Sequence, residues 1–293
     1  MKPAKFDYYR PETLSEALSL LEEVGFDGKI IAGGQSLVPI MNMRLATPEC
    51  LIDINGINDL DYIVKDVDVI KIGAMTRQSE LETSDIIRQN SPLVSEAVRL
   101  IGHVQTRNRG TVGGSIVHAD PSAELPLVLM TLGGSLKISA NGEVRSVNAE
   151  DFFITYLTTD LLPSEILTEI HLPIWHGRKG HSFLEIARRH GDFALVAAAC
   201  QLTVDAQDRI EKVRLALGGV EAIPFLIEDA QDLLNGERLS DSLIDKLTKI
   251  IEESIEPESD LHASEEYRRH LAKVLTSRSL QQAYERAKGE QYG

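Results

Sequence analysis

Two short stretches of this chain combine glycine pairs with hydroxyl side chains: Ala32-Gly33-Gly34-Gln35-Ser36 and Thr111-Val112-Gly113-Gly114-Ser115. The first follows a strand-like run ending near Ile31 and leads into Leu37; the second precedes the apolar pair Ile116-Val117. Paired glycines open backbone conformations closed to other residues and let a ligand come within hydrogen-bonding distance of the main chain. Successive N–H groups in such a turn form a nest that can hold a phosphate without a lysine. Ser36, Thr111 and Ser115 add hydroxyl donors. One Gly-Gly after a strand is an ordinary tight turn, but two such turns flanked by hydroxyls point to a nucleotide-sized anionic ligand. Neither carries the Gly-Lys-Ser/Thr of a P-loop or the GxGxxG that opens a Rossmann helix, so a different nucleotide fold is expected.

Other residue types with chemical potential lie around the second turn. His103 and His118 invite an acid–base reading because imidazole as a side-chain type is the usual proton carrier near neutral pH, but for His103, which follows an apolar helix, a cap or loop filler is the stronger reading. Arg107 and Arg109 could meet phosphate or stand in solvent, and Asp120-Pro121 has the form of a turn starter.

These residues depend on the elements that carry them. Thr13-Leu14-Ser15-Glu16 has the capping-box form, Leu14, Ala17, Leu18, Leu21 and Val24 recur on one face, and Gly25 is placed to end the helix. Residues 29–32 and 51–54 read as short strands, which makes residues 1–55 a compact helix-and-strand unit. In residues 56–176 the period changes: Val67, Val69 and Ile72 lie in strand-like runs, Ser91-Pro92 starts a helix through Ile101, Asn141-Gly142 marks a hairpin, and 166–172 is a strand before Pro173. Gly177-Arg178-Lys179-Gly180 is the best candidate linker. After it, in residues 181–293, come three strands (183–189, 193–204, 210–217) and then helices over 224–234, 240–255 and 264–288. The fold class expected is α+β.

The chain has 293 residues, about two domains' worth, and a formal charge of −15 from 30 Lys+Arg against 45 Asp+Glu. That balance argues against a nucleic-acid partner, which clustered cations would have to hold. Any pyrophosphate must be bound by local donors against an unfavourable overall field. Cys50 and Cys200, each among apolar residues, are too few for a disulfide framework or for the four thiolates of an iron–sulfur cluster. No run approaches the roughly 18 apolar residues of a membrane span, so a reducing cytoplasm is the expected location.

The first turn extended as Ile31-Ala32-Gly33-Gly34-Gln35-Ser36-Leu37-Val38-Pro39, the run from Ile101 to Ser115 and Asp120-Pro121-Ser122-Ala123-Glu124 together resemble the FAD-binding medium subunit of molybdenum hydroxylases. The likeness continues through Arg188-Arg189-His190-Gly191-Asp192-Phe193-Ala194, Leu215-Ala216-Leu217-Gly218-Gly219-Val220 and Ser264-Glu265-Glu266-Tyr267-Arg268-Arg269, covering nearly the whole chain in order. It implies FAD bound in a fold of the vanillyl-alcohol-oxidase (PCMH) type, with two subdomains clasping the cofactor and an α+β C-terminal domain of three strands and helices. By resemblance, the cofactor contacts are Ile31, Ala32, Gly33, Gly34, Gln35, Ser36 and Leu37 on the first turn. On the second side they are His103, Thr111, Gly113, Gly114, Ser115, His118 and Asp120, with Ile166 and Leu167 on a strand near the flavin and Arg188 and Phe193 beyond it. Where some relatives carry a lysine, this chain has Leu184 and Glu185, and Arg188 could supply the cation instead.

The flavin carries the redox chemistry and the protein orients it, so no residue is assigned a catalytic role. The implied partners are a large subunit with the molybdenum cofactor, a [2Fe-2S] small subunit, and NAD, a quinone or oxygen as acceptor. The alternatives are a stand-alone reductase of the UDP-N-acetylenolpyruvoylglucosamine reductase type and a non-catalytic nucleotide-binding assembly subunit.

Overall fold

Local sequence signals set the element boundaries in the computed structural model, which describes residues 2–289. Helix α1 (Leu14–Val24) begins where the Thr13 side chain accepts from the Glu16 N–H and Glu16 accepts from the Glu12 N–H, and ends at Gly25 with φ 56°. It packs on a parallel sheet of order β1-β3-β2, built from β1 (Asp7–Tyr9), β2 (Gly28–Ile31) and β3 (Cys50–Asp53). Helix α2 (Leu37–Asn42) follows β2 directly, so the first glycine turn is a strand-to-helix connection.

The second unit is an antiparallel sheet of order β4-β5-β10-β6-β7, made of β4 (Ile63–Asp66), β5 (Val69–Gly73), β6 (Ser135–Ala140), β7 (Glu143–Asn148) and β10 (Ile166–Pro173). Asn141-Gly142 forms the β6–β7 turn, as expected of a pair tolerant of positive φ. Between β5 and β6 run six short helices: α3 (Gln78–Thr83), α4 (Asp85–Asn90), α5 (Pro92–Val98), α6 (Val104–Arg107), α7 (Val112–His118) and α8 (Glu124–Leu132). Between β7 and β10 lie α9 (Ala149–Phe152) and the small hairpin of β8 (Phe153–Thr155) and β9 (Thr158–Thr159).

The C-terminal part differs from expectation in two places. Its sheet has four strands, β11 (Arg178–Ala187), β12 (Ala194–Val204), β13 (Ile210–Gly218) and β14 (Phe225–Leu226). The two-residue β14 occupies the start of what the sequence suggested was a helix, and α10 begins only at Asp229 (Asp229–Leu234). The proposed linker is also strand: Arg178, Lys179 and Gly180 pair with Val204, Thr203 and Leu202. Gly180 is there for packing, since a Cβ on it would overlap the Ala283 carbonyl oxygen and lie 2.7 Å from the Ala287 nitrogen on α12 (Glu265–Lys288). Glycine served a close approach of strand to helix, and in sequence that looks the same as flexibility.

One face of this sheet, with Leu184, Val196, Ala198 and Cys200, packs under α10, α11 (Asp241–Ser254) and α12. The other face, with Phe183, Ala197, Ala199 and Ala216, joins the core of the second unit. Burial on both sides explains why all eleven residues of β12 are buried, Gln201 and Thr203 included, after an apolar run from Ala194 to Cys200.

Candidate functional site

The two glycine turns, about 80 residues apart in sequence, meet in the fold. A Cβ on Gly33 would overlap the Arg109 carbonyl oxygen and lie 2.8 Å from the Gly110 Cα, and a Cβ on Gly114 would come within 3.7 Å of the Ala32 Cβ. At Gly33 only glycine permits that approach, whereas the 3.7 Å contact at Gly114 is an ordinary one.

The turns are chemically unlike. In the first, Gly34 has φ 71°, a conformation costly for other residues. Among the described residues, the N–H groups of Gly33, Gly34, Gln35, Ser36 and Leu37 have no protein acceptor. Four successive free donors ahead of α2 and a fifth at its first residue are thus available to an anion. The second turn is the first turn of α7, and its donors are consumed. Val112 N–H donates to Thr76 O (2.9 Å), Gly113 N–H to Ala74 O (2.8 Å), Gly114 N–H to Thr111 Oγ1 (3.1 Å) and Ser115 N–H to Thr111 O (3.2 Å). Thr111 is therefore a buried N-cap. What this turn offers a ligand is the half-exposed main chain at Gly114, where a Cβ would crowd Thr111 Oγ1 at 2.7 Å, and the Ser115 hydroxyl, which, like that of Ser36, has no protein partner among the described residues. A free N–H nest beside two hydroxyls fits the diphosphate and polyol of FAD.

The remaining predicted residues are distributed around this meeting point. His118 ends α7 half-buried, and burial holds its imidazole below the usual value despite Asp120 nearby. Asp120 accepts from the Ser122 N–H (2.9 Å), the turn-starting role its Pro121 neighbour suggested. His103 lies against Gly191, where a Cβ would be 2.6 Å from its Cε1, and its ring centroid is 5.8 Å from that of His190. It is thus a packing contact to the 188–193 loop. In that loop Arg188 stands 3.7 Å from Asp192, and Phe193 is 58% exposed, ahead of β12 instead of inside it. Ile166 and Leu167 bury their side chains in different cores, which leaves only their main chain to face a ligand.

Two groups of functional interest escaped sequence reading. Asn55 and Arg77 join the turns: Asn55 Nδ2 donates to Ala32 O (2.7 Å), Arg77 Nη2 to Asn55 Oδ1 (2.8 Å) and Arg77 Nη1 to Arg109 O (2.5 Å). Asn55-Gly56 signals a turn in sequence, but nothing near Arg77 announces partners 22 and 32 residues away.

The second group is a pair of acids. Glu124 opens α8 and is 5% exposed. Glu185 on β11 is in register with Ala197 and, through it, Gly218, whose missing Cβ would lie 3.2 Å from Leu127 of α8 and 3.3 Å from Pro121 O. Residues paired across strands share a face, so Glu185 points toward α8, and its buried Oε2 has no partner. Burial, then the Glu185 charge, pushes the Glu124 carboxyl up to about 8, and burial pushes Glu185 up to about 7.

With this geometry in hand, comparison with known proteins is decisive. Residues 4–175 match the family described as the FAD binding domain in molybdopterin dehydrogenase, and residues 181–283 the CO dehydrogenase flavoprotein C-terminal domain. The chain is 38% identical over 283 residues to the glyceraldehyde dehydrogenase medium chain of Sulfolobus acidocaldarius, covering 96% of this chain and 99% of that one. It is 37% identical over 288 residues to the 6-hydroxypseudooxynicotine dehydrogenase complex subunit alpha of Paenarthrobacter nicotinovorans, covering 98% and 97%. Its fold superposes with TM-score 0.95 on a chain of the carbon monoxide dehydrogenase of Hydrogenophaga pseudoflava, at 32% identity and with 98% and 99% coverage. Matches of this kind along both parts of the chain disfavour the reductase and assembly-subunit alternatives. The chain belongs to the FAD-binding medium-subunit family of the molybdenum hydroxylases, and is an oxidoreductase subunit that carries electrons through FAD.

Proposed function

We propose that FAD lies across the junction of the two glycine turns, with its diphosphate on the free N–H groups of residues 33–37 and its polyol chain against Gly114 and Ser115. The observation that carries this reading is the contrast between the turns: one has five N–H donors without acceptors among the described residues, and the other has none to spare but leaves Gly114 and the Ser115 hydroxyl half-exposed. The Ser36 and Ser115 hydroxyls complete the donor set without adding charge. Phe193 offers an exposed ring for the isoalloxazine, with Arg188 earlier in the same β11–β12 loop, while His103, His118 and Asp120 shape the wall. Ile166 and Leu167 contribute main chain alone.

When bound, FAD accepts and releases electrons singly or in pairs, and so joins one-electron donors to two-electron acceptors. The chain's own part is to bind the dinucleotide, orient it and exclude water from its buried edge. In the assembly proposed, a molybdenum-cofactor large subunit hydroxylates the substrate, a [2Fe-2S] small subunit delivers the electrons, and NAD, a quinone or oxygen takes them away. The fold is read as the vanillyl-alcohol-oxidase type, with units at 1–55, 56–176 and 181–293. A reducing cytoplasm suits two buried free thiols.

The experiment purifies the chain alone, reconstitutes FAD and offers aldehydes, purines and N-heterocycles with a dye acceptor, then repeats this with co-expressed molybdenum and iron–sulfur subunits. Turnover is expected only with the partners present. Turnover by the single chain would overturn the subunit reading.

A further inference from the structure

The first turn, and the chain two residues ahead of the second, are fastened through main-chain carbonyls, and two linked side chains reach them. The Ala32 carbonyl, on the first turn, accepts from Asn55 Nδ2 at 2.7 Å; the Arg109 carbonyl, which Gly33 abuts, accepts from Arg77 Nη1 at 2.5 Å. Arg77 Nη2 closes the link on Asn55 Oδ1 at 2.8 Å. Asn55 is itself held, its N–H and Nδ2 both donating to Asp53 Oδ1 (2.9 and 2.5 Å), while Tyr8 donates to Asp53 Oδ2. A relay of four side chains from β1, the end of β3 and the approach to α3 thus ends on the first turn and on the Arg109 carbonyl just ahead of the second. Arg77 also forms an isolated antiparallel bridge with Thr111, the cap of the second turn.

We infer that Asn55 and Arg77 are positioning residues for the dinucleotide, bridging the two turns and fixing the distance between the donor nest and the Gly114 surface. The inference rests on the reading that the turns hold FAD, and goes beyond it by assigning their spacing to two residues outside either turn. A dinucleotide contacting both turns gains its second set of contacts without further ordering cost only when that spacing is preset. The guanidinium suits the task because its planar fork donates in two fixed directions, to a carbonyl and to an amide oxygen. A lysine at position 77 would keep the charge and lose the fork.

The test titrates FAD into the purified chain and follows flavin fluorescence for wild type, Asn55→Ala, Arg77→Met, Arg77→Lys, the Asn55→Ala/Arg77→Met double variant and Gly34→Val, with thermal unfolding of each chain before FAD is added. Each clamp single variant should weaken FAD binding about tenfold, the order expected for losing a hydrogen-bonded link, with unfolding temperatures close to wild type. Arg77→Lys should behave like Arg77→Met, and the double variant should lose little more than either single, since each cuts the same bridge. Rescue by Arg77→Lys would assign the effect to charge and overturn the inference, as would additive losses, or FAD affinities within twofold of wild type in the singles. Should Asn55→Ala fail to fold, Arg77→Lys against Arg77→Met still decides. Gly34→Val separates the two claims. Loss of FAD there with unchanged clamp variants refutes the bridge alone, and retention of FAD there refutes the turn assignment and the bridge with it.

Discussion

Replacing Glu124 by glutamine should stabilise the folded chain at neutral and alkaline pH. Glu124 is buried at the start of α8, faces the partnerless Glu185 across the seam between α8 and β11, and holds its proton up to about pH 8, against 4.5 for an ordinary glutamate. The folded chain therefore binds this proton more tightly than the unfolded chain. Its stabilising effect is complete below about pH 4.5 and is lost progressively as pH rises toward 8. At about 1.36 kcal/mol per pH unit, the loss accumulated between 4.5 and pH 7 is about 3 kcal/mol, and at pH 5 it is under about 1 kcal/mol. Glutamine keeps the shape of the protonated acid and does not titrate. For a chain of this length roughly 2 °C per kcal/mol is expected, so Glu124→Gln should unfold about 6 °C above wild type at pH 7 and within about 2 °C of it at pH 5. The assay is scanning calorimetry of both proteins from pH 5 to 8. A variant-minus-wild-type difference that does not change with pH would refute the reasoning, as would a variant less stable than wild type at pH 8.

Burial holds His181 down to about 4, against the pull of Glu96, so its contribution has the opposite sense: full above about pH 6.5 and lost as pH falls toward 4. Chemical denaturation of His181→Gln should show up to about 3 kcal/mol less acid sensitivity than wild type over that range, and equal sensitivity would contradict the assignment. Gly180→Val should cost about 3 kcal/mol or more, because its side chain would have to displace the α12 backbone at Ala283 and Ala287. A urea midpoint equal to wild type would show that β11 and α12 are not packed so closely.

Much of the site was legible because its signals are local. The capping box at Thr13, the Asn141-Gly142 hairpin and the glycine-hydroxyl turns each depend on residues within a few positions, and the structure contains the first two as read. What failed locally was glycine's double meaning. At Gly180 it serves contact with α12 instead of flexibility, and at Gly113-Gly114 it opens a helix whose N–H groups are already bonded to Ala74 O and Thr111 Oγ1. Phe193, by contrast, looked equally like the start of a buried strand and is exposed one residue ahead of it. The clamp and the acid pair were illegible for a different reason. Arg77 and Arg109, or Glu124 and Glu185, are brought together only by sheet register and helix packing, which no spacing along the chain encodes.

Counting flavin tests most directly whether two unlike turns share one dinucleotide. Wild type, Gly34→Val and Gly114→Val, each verified as folded by circular dichroism, are saturated with FAD, desalted and assayed for bound flavin per chain. The expected result is one FAD per wild-type chain and none in either variant, since valine strains the positive-φ position at Gly34 and at Gly114 sets a branched side chain between Thr111 Oγ1, 2.7 Å from its Cβ, and Ala32, 3.7 Å away, where the polyol is proposed to approach. A folded variant that retains FAD as tightly as wild type would contradict it.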